Sequence, residues 1–169
     1  MAATVIWECD PEGLITFASS NVTEVWGWPA HDLIGKKKVY SLHPPNGYEE
    51  GRHVFLGLLS SRQAFQHLEN RVLTREGDVR WMSSSGIPLF DASGSFCGLR
   101  GIDLNITQRK HEALMLAELE ARWRAVLEGT LQGVWDWNAK TNQVYFSPTW
   151  KSMLGYAEHE IGDTLSEWE

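Results

Sequence analysis

The residues most able to do chemistry in this chain are its six histidines and two cysteines, and their spacing bears first on metal binding. The histidines are His31, His43, His53, His67, His111 and His159. No two of them are three or four residues apart, so one helix cannot offer two of them to a metal ion. Cys9 and Cys97 follow no metal-binding spacing and form no disulfide framework. The sequence therefore predicts no metal site, and the free thiols predict a reduced, cytoplasmic setting.

Catalytic motifs are also missing from the sequence. It has no G-x-S-x-G elbow, no glycine-rich phosphate loop and no H-E-x-x-H zinc motif. Residues 110–114, Lys-His-Glu-Ala-Leu, faintly resemble a phospho-acceptor histidine followed by an acid, but the Arg-Thr-Pro usual after it is absent. We therefore expect His111 to be a solvated helix residue and this chain not to be an enzyme.

Charge and hydropathy restrict the partners. The net charge is −7, whereas binding to nucleic acid needs clustered Lys and Arg. The one basic run, residues 36–38, is expected to be a solvated turn. No stretch approaches the roughly 20 apolar residues of a membrane span, and the N-terminus does not match a signal peptide. We expect no nucleic acid partner and no membrane contact by this segment.

The elements that must position any site occur in a pattern that the chain repeats. Residues 6–10, Ile-Trp-Glu-Cys-Asp, and 15–17, Ile-Thr-Phe, flank a Pro-Gly turn. Residues 134–138, Val-Trp-Asp-Trp-Asn, and 144–146, Val-Tyr-Phe, flank another turn. The two copies begin about 128 residues apart, which predicts two similar modules in tandem rather than a solenoid.

The first copy continues into a longer series of predicted elements. After a hairpin of strands 5–10 and 14–17, the pair Asn21 and Glu24 is a capping-box pattern that starts a short helix. A longer helix follows over 48–61, and then strands over 65–74, 79–90 and 95–104. Gly98 and Gly101 indicate a close backbone approach or a bulge in the last strand. Hairpin-linked strands predict an antiparallel sheet with the helices on one face.

A capped helix is predicted to begin at Asn105 and to run to about residue 127. Its apolar residues repeat at intervals of three and four and define a seam, namely Leu116, Leu119, Trp123 and Val126. Two heptads are fewer than a firm coiled-coil assignment needs. The helix either packs on its own domain or forms a dimer or signal helix, and the sequence leaves both open.

Several of these segments together resemble a PAS domain. They are residues 10–15, Asp-Pro-Glu-Gly-Leu-Ile; 27–28, Gly-Trp; 32–36, Asp-Leu-Ile-Gly-Lys; and 43–44, His-Pro. Residues 75–81 and 105–110, Asn-Ile-Thr-Gln-Arg-Lys, resemble the C-terminal PAC part of that fold, with Asn105 in place of the usual Asp. The resemblance covers about residues 5–110 and returns over 131–169.

The resemblance implies an α+β fold, a five-stranded antiparallel sheet of order 2-1-5-4-3 with short helices on one face. It implies a PAS/PAC domain over residues 1–107, a connecting amphipathic helix over 108–130 and the N-terminal fragment of a second PAS domain over 131–169. It further implies a sensor in a multidomain signal-transduction protein such as a two-component system. The catalytic output, a histidine kinase or a diguanylate cyclase, would lie outside this chain.

The resemblance also implies a cavity between the inner sheet face and the short helices. The candidate lining residues are Phe17, Asn21, Trp26, Trp28, Tyr40, Leu42, Leu68, Asn70 and Ser83. A small metabolite would be fixed by Asn70 or Ser83 if these point inward, and a core filled by rings is the alternative. Haem on His43 or His53 is disfavoured, because the simpler role of His43 is to cap a helix end and that of His53 is to face water. A light-driven flavin adduct is disfavoured because residues 36–46 contain no cysteine, and flavin bound without a covalent link stays open as a minor alternative.

Two functions therefore stay open. The first is a module that binds a small ligand or a partner and relays this through the C-terminal helix. The second is a ligand-free dimerisation scaffold, in which the outer sheet face and the helix seam bury apolar surface against a second copy of the chain. A homodimer is expected in either case.

Overall fold

The computed structural model describes residues 4–129, 133–162 and 164. The chain divides into two compact units, residues 1–111 and 112–169. The first unit contains β1 (Thr4–Cys9), β2 (Ile15–Ala18), α1 (Val22–Trp26), α2 (Ala30–Leu33), a 3₁₀ turn (Val39–Leu42), α3 (Tyr48–Ser61), β3 (Phe65–Leu73), β4 (Val79–Phe90) and β5 (Phe96–Asn105). Helix α4 (Thr107–Gly129) then leads into β6 (Trp135–Asn138), β7 (Gln143–Phe146) and α5 (Pro148–Met153).

The five strands of the first unit form one antiparallel sheet in the order β2-β1-β5-β4-β3, which confirms the expected topology. Helix α3 and strand β4 have the predicted bounds, and the other strands differ from the prediction by about one residue at an end. The hairpin of β1 and β2 joins the other three strands through β1, which pairs with β5 over six residues, from Thr4↔Leu104 to Cys9↔Leu99.

The inner face of the sheet is set by side-chain alternation along each strand. On β1 the buried residues are every second one, Val5, Trp7 and Cys9. The Trp7 ring lies over its cross-strand partner Gly101, where an added Cβ would be 2.3 Å from the ring. A side chain at position 101 would therefore displace the largest ring on the inner face.

Gly98 marks the close approach that the sequence predicts. Its φ is +126°, and an added Cβ would lie 1.8 Å from the Cys9 carbonyl oxygen. No side chain fits between the two backbones at this point, so glycine lets β5 approach β1.

Helix α1 begins where the sequence predicts, but the capping box is not formed. Asn21 is the N-cap residue, yet its side chain makes no capping hydrogen bond. Its Oδ1 accepts from Ser19 Oγ at 2.7 Å, and its Nδ2 donates to the Thr4 carbonyl oxygen. The tertiary contact with the start of β1 therefore replaces the local cap.

The second unit contains a two-stranded hairpin followed by a short helix. Strands β6 and β7 form a two-stranded antiparallel sheet. Ser147 caps α5, because its Oγ accepts the Trp150 N–H at 3.2 Å, as the Ser-Pro pair predicts. A small apolar cluster follows, made of Val144, Phe146, Ile161 and Trp150.

Helix α4 exposes its predicted seam. Leu116, Leu119, Trp123 and Val126 are each more than half exposed in the single chain. Within the second unit, Leu119 and Trp123 line a shallow groove together with Tyr145 and Pro148. Among the described residues, no helix has the length and apolar character needed to cross a membrane.

Candidate functional site

A cavity of about 330 Å³ lies between α3 and β3, the edge strand of the sheet. Its lining residues are Trp7, Val39, His43, Gly47, Glu50, Gly51, Val54, Phe55, Leu58, Phe65, Leu68, Glu69, Asn70, Arg71, Trp81 and Ser84. Consecutive residues of β3, 68–71, all contribute, and neighbouring side chains of a strand point to opposite faces. The cavity therefore extends from the inner face around the edge of the sheet. We call it the α3–β3 cavity.

The polar base of the cavity is a pair of side chains from β3 and β4. Asn70 Nδ2 donates to Ser84 Oγ at 2.6 Å and to the Leu68 carbonyl oxygen at 3.3 Å. Both side chains line the cavity, and the rest of the inner wall is largely apolar. An apolar wall with a few fixed polar groups is the usual form of a small-molecule site.

Behind this base lies a buried carboxyl group, Asp103, which is 3% exposed. Its Oδ1 accepts from Trp7 Nε1 at 2.8 Å, and its Oδ2 accepts from Trp26 Nε1 at 3.0 Å. Ser84, its cross-strand partner, also hydrogen-bonds to it. Burial raises the pKa of Asp103, and the hydrogen bonds from Trp7, Ser84 and Trp26 oppose that rise.

The polar rim of the cavity contains Arg71 and His43. Arg71 Nη2 donates to the Asn46 carbonyl oxygen at 2.5 Å, and the guanidinium carbon lies 5.7 Å from the Trp81 ring centroid. The His43 ring packs on Gly51 of α3, where an added Cβ would be 2.2 Å from His43 Cδ2. Burial lowers the pKa of His43, the Tyr40 carbonyl opposes this, and the charge of Arg71 adds to it. His43 is therefore neutral at neutral pH.

The same two strands hold the first turn of α4. Glu69 of β3 forms ion pairs with Lys110 and with Arg109, the latter at 3.2 Å. Trp81 of β4 donates its backbone N–H to Thr107 Oγ1 at 2.9 Å. The Lys110 ammonium lies 5.1 Å from the Trp81 ring centroid. Because Glu69 and Trp81 also line the cavity, its wall is in direct contact with the start of the helix.

Two of the predicted lining residues, Leu68 and Asn70, line the cavity. Among the described residues, the other seven lie outside its lining: Phe17, Asn21, Trp26, Trp28, Tyr40, Leu42 and Ser83. Phe17 is 45% exposed on β2, and Trp26 lies in the core against Asp103. Trp28 Nε1 donates to the Leu73 carbonyl oxygen at 2.8 Å. Most of the predicted rings therefore build the core around the site rather than the site itself.

Ser83 shows the effect of a one-residue register error. It pairs with Glu69, whereas Ser84 pairs with Leu68 and is buried. Ser84 is thus the inward-facing serine, and it binds Asn70. The sequence prediction also missed Asp103. A signal for Asp103 was present in the sequence. Asp103 follows Gly101 by two residues in β5, and alternate residues of a strand share a face, so Asp103 lies on the same face as Gly101.

The histidines and cysteines were the first candidates for chemistry in the sequence. In the described part of the chain, no three His, Cys, Asp or Glu side chains are grouped as metal ligands. His53 is exposed on α3, and only His43 of the two haem candidates lines the cavity. Burial raises the pKa of Cys9 to about 11, so this thiol stays protonated. The volume of the cavity is at the lower end of the range of about 300–1,000 Å³ for ligand pockets.

Comparison with known proteins identifies the family. A family model for the PAS fold matches residues 15–103, more than half of the chain. The chain therefore belongs to the PAS fold family, which confirms the resemblance to a PAS domain over the matched residues. A crystal structure of a PAS domain from Colwellia psychrerythraea matches with a TM-score of 0.55 at 23% identity, covering 62% of this chain and 87% of that one.

Three further matches carry the names of signalling proteins. The chain is 29% identical over 116 residues to the methyl sulfide methyltransferase-associated sensor of Methanosarcina acetivorans, covering 67% of this chain and 11% of that protein. A sensory box histidine kinase/response regulator from Burkholderia thailandensis matches with a TM-score of 0.52 at 25% identity, covering 72% of this chain and 92% of that one.

The N-terminal domain of a diguanylate cyclase with a PAS/PAC sensor, from Marinobacter aquaeolei, has the same fold, with a TM-score of 0.55 at 18% identity. The match covers 64% of this chain and 100% of that domain. The chain spans only a small part of the curated relatives, 11% in the sensor above and 13% in the uncharacterized protein y4lL of Sinorhizobium fredii. The latter is 29% identical over 110 residues and is matched by 65% of this chain.

Proposed function

We propose that this chain is a sensory module that binds a small ligand in the α3–β3 cavity and relays the binding through α4. One observation carries the proposal. Glu69 and Trp81 line the cavity and also hold the first turn of α4, through Lys110 and Thr107. Any change in the cavity that moves these two strands therefore acts directly on the helix.

The relay is an equilibrium between two states. A ligand shifts such an equilibrium only by binding one state more tightly than the other. Here the two states would differ in the contacts of Trp81, which has Arg71 on the cavity side and Lys110 on the helix side. A ligand that draws Arg71 away from Trp81 weakens that set of contacts and frees the start of α4.

The larger organisation is part of the same proposal. We assign residues 1–107 to a PAS/PAC domain, 108–130 to the connecting helix and 131–169 to the beginning of a second PAS domain. The role is regulatory rather than catalytic, with an output such as a histidine kinase or a diguanylate cyclase elsewhere in the parent protein. The signalling relatives of the chain support this assignment. A cytoplasmic setting fits two cysteines that form no disulfide.

Native mass spectrometry tests the ligand. The wild-type chain is compared with Val54→Trp, because Val54 lines the cavity and is 39% exposed, so a larger ring can fill the cavity without displacing the core. We expect a bound small molecule on the wild type and none on Val54→Trp. The matched control is His53→Trp, at an exposed neighbouring position of α3 that does not line the cavity. Equal occupancy of all three proteins, or none on any, contradicts the proposal.

A ligand-free dimerisation scaffold is the second candidate, and it rests on exposed apolar surface. The outer sheet face exposes the cross-strand partners Ile6 and Ile102, at 46% and 44%. The seam of α4 is exposed as well, including Trp123 at 61%. Sedimentation analysis of Leu119→Lys and of Ile102→Lys separates the two surfaces. Loss of a dimer together with an empty cavity favours the scaffold.

A further inference from the structure

The hydrogen bonds at the base of the α3–β3 cavity have a fixed direction. The Leu68 carbonyl oxygen can only accept, so the Asn70 atom beside it must be the amide nitrogen. That nitrogen also donates to Ser84 Oγ, and the single Ser84 O–H is then left to donate to Asp103. Trp7 and Trp26 donate to the same carboxylate from the other side.

This arrangement leaves one acceptor for a ligand. Among the described residues, none donates to Asn70 Oδ1, although Asn70 lines the cavity. The oxygen cannot exchange places with the nitrogen without setting two acceptors, Oδ1 and the Leu68 carbonyl, against each other. A ligand that reaches the base of the cavity can therefore donate an N–H or O–H group to Asn70 Oδ1.

The rim offers the opposite chemistry. In the described part of the chain, Arg71 belongs to no ion pair, whereas the Glu69 carboxylate is held by Lys110 and Arg109. A planar guanidinium matches a carboxylate with two parallel hydrogen bonds. Glu50, an exposed residue, also lines the cavity, and a negative charge on the rim favours an anion with one charge over a phosphate with two. Between rim and base, Phe55, Phe65 and Leu58 form an apolar wall.

From these three features we propose that the α3–β3 cavity takes a small amphipathic acid, with its carboxylate on Arg71, its apolar body on the wall of α3 and β3, and a hydrogen-bond donor on Asn70. This inference rests on the ligand-sensing function proposed above and specifies the class of ligand. It also gives Arg71 two uses, because the guanidinium that meets the carboxylate lies against Trp81, which holds the first turn of α4.

Calorimetry on the full chain with three matched probes tests the proposal. The probes are 4-hydroxyphenylacetate, phenylacetate, which lacks the donor, and 4-hydroxyphenylacetamide, which lacks the charge. A neutral hydrogen bond is worth roughly fivefold in affinity and a charge-assisted one roughly tenfold or more. We expect the first probe to bind about fivefold tighter than the second and about tenfold tighter than the third.

Two variants assign these ratios to residues. In Asn70→Leu, 4-hydroxyphenylacetate should no longer bind more tightly than phenylacetate, while its preference over the amide should remain. In Arg71→Gln, 4-hydroxyphenylacetate should no longer bind more tightly than the amide, while its preference over phenylacetate should remain. The ratios on the wild-type protein decide the matter if a variant does not fold. Equal affinities for the three probes, a preference for the amide, or no binding of any probe overturns the proposal. Native mass spectrometry separates this failure from that of the sensing function, because a bound molecule of other chemistry would leave that function in place.

Discussion

Replacing Asp103 by leucine should strongly destabilise the first unit. Asp103→Leu keeps the approximate size of the side chain but removes the acceptor of three donors, namely Trp7 Nε1, Trp26 Nε1 and the Ser84 hydroxyl. The two indole groups are in the core, at 1% exposure each, so water cannot replace the lost partner. The variant thus tests whether this buried carboxyl group organises the centre of the sheet.

The magnitude follows from the number of donors left without a partner. Each buried unsatisfied donor costs about 1–3 kcal/mol, and removing one member of a buried charged network costs about 3–5 kcal/mol. Leucine has no charge to bury, so the variant avoids the desolvation cost of the Asp103 carboxylate, and this offsets part of the lost stability. We expect the free energy of unfolding to fall by about 3–4 kcal/mol, which lowers the Tm of a domain of this size by roughly 15–20 °C.

Urea unfolding followed by circular dichroism measures the effect, with Asp78→Asn as a control at an exposed turn position. Because burial raises the pKa of Asp103 above 3.8, the folded state binds its proton more tightly than the unfolded state. Wild-type stability therefore falls as the pH rises from about 3.8 through the raised pKa. Asp103→Leu lacks this dependence, so the difference between the two proteins is largest in acid. A variant as stable as the wild type would refute the account of the network.

Three further predictions follow from the geometry. Gly98→Ala should destabilise the first unit by about 2 kcal/mol or more, because its Cβ would lie 1.8 Å from the Cys9 carbonyl oxygen at a positive φ; thermal unfolding measures it. An alkylating reagent should label Cys97, which is exposed, far faster than Cys9, whose buried thiol has a pKa of about 11; peptide mass spectrometry measures the rates. Burial lowers the pKa of His43, so unfolding titrations should show stability lost as the pH falls from 6.5 through that lowered pKa, and His43→Gln should lack this loss.

Each of these predictions has a control within the chain. Gly94 also has a positive φ, at +80°, but an added Cβ would meet nothing within 4 Å. Gly94→Ala should therefore be much milder than Gly98→Ala, and equal effects would argue against the close approach. Equal labelling of the two cysteines would contradict the burial of Cys9. If His43→Gln kept the acid-dependent loss, a group other than His43 would be responsible.

The order of elements was predictable because its signals are local. Turn residues, helical periodicity in 48–61 and the glycines of the last strand each act over a few positions, and they placed β4 and α3 correctly. Asn21 does not follow the local pattern, because its side chain binds Ser19 and the Thr4 carbonyl oxygen instead of capping the helix. Local patterns cannot show a competing partner that lies 17 residues away.

The site was less predictable than the fold because it depends on strand faces. One residue of register separates Ser83 on the outer face from Ser84 in the cavity, and alternation alone does not say which is inside. The sequence named Trp26 as a candidate lining residue, but Asp103, the shared partner of Trp7 and Trp26, is 96 and 77 residues away from them in sequence. Only the pairing of β5 with its neighbours brings these groups together.

Hydrogen exchange at the start of α4 tests the central claim that the α3–β3 cavity is coupled to this helix. Val54→Trp fills the cavity without a ligand, and Trp81→Ala in the same background removes the contact that would transmit the change. We expect altered protection of residues 107–110 in Val54→Trp and a smaller response to filling once the Trp81 ring is removed, because the Glu69–Lys110 ion pair and the backbone hydrogen bond to Thr107 stay in place. Unchanged protection of this turn in a folded Val54→Trp protein would contradict it.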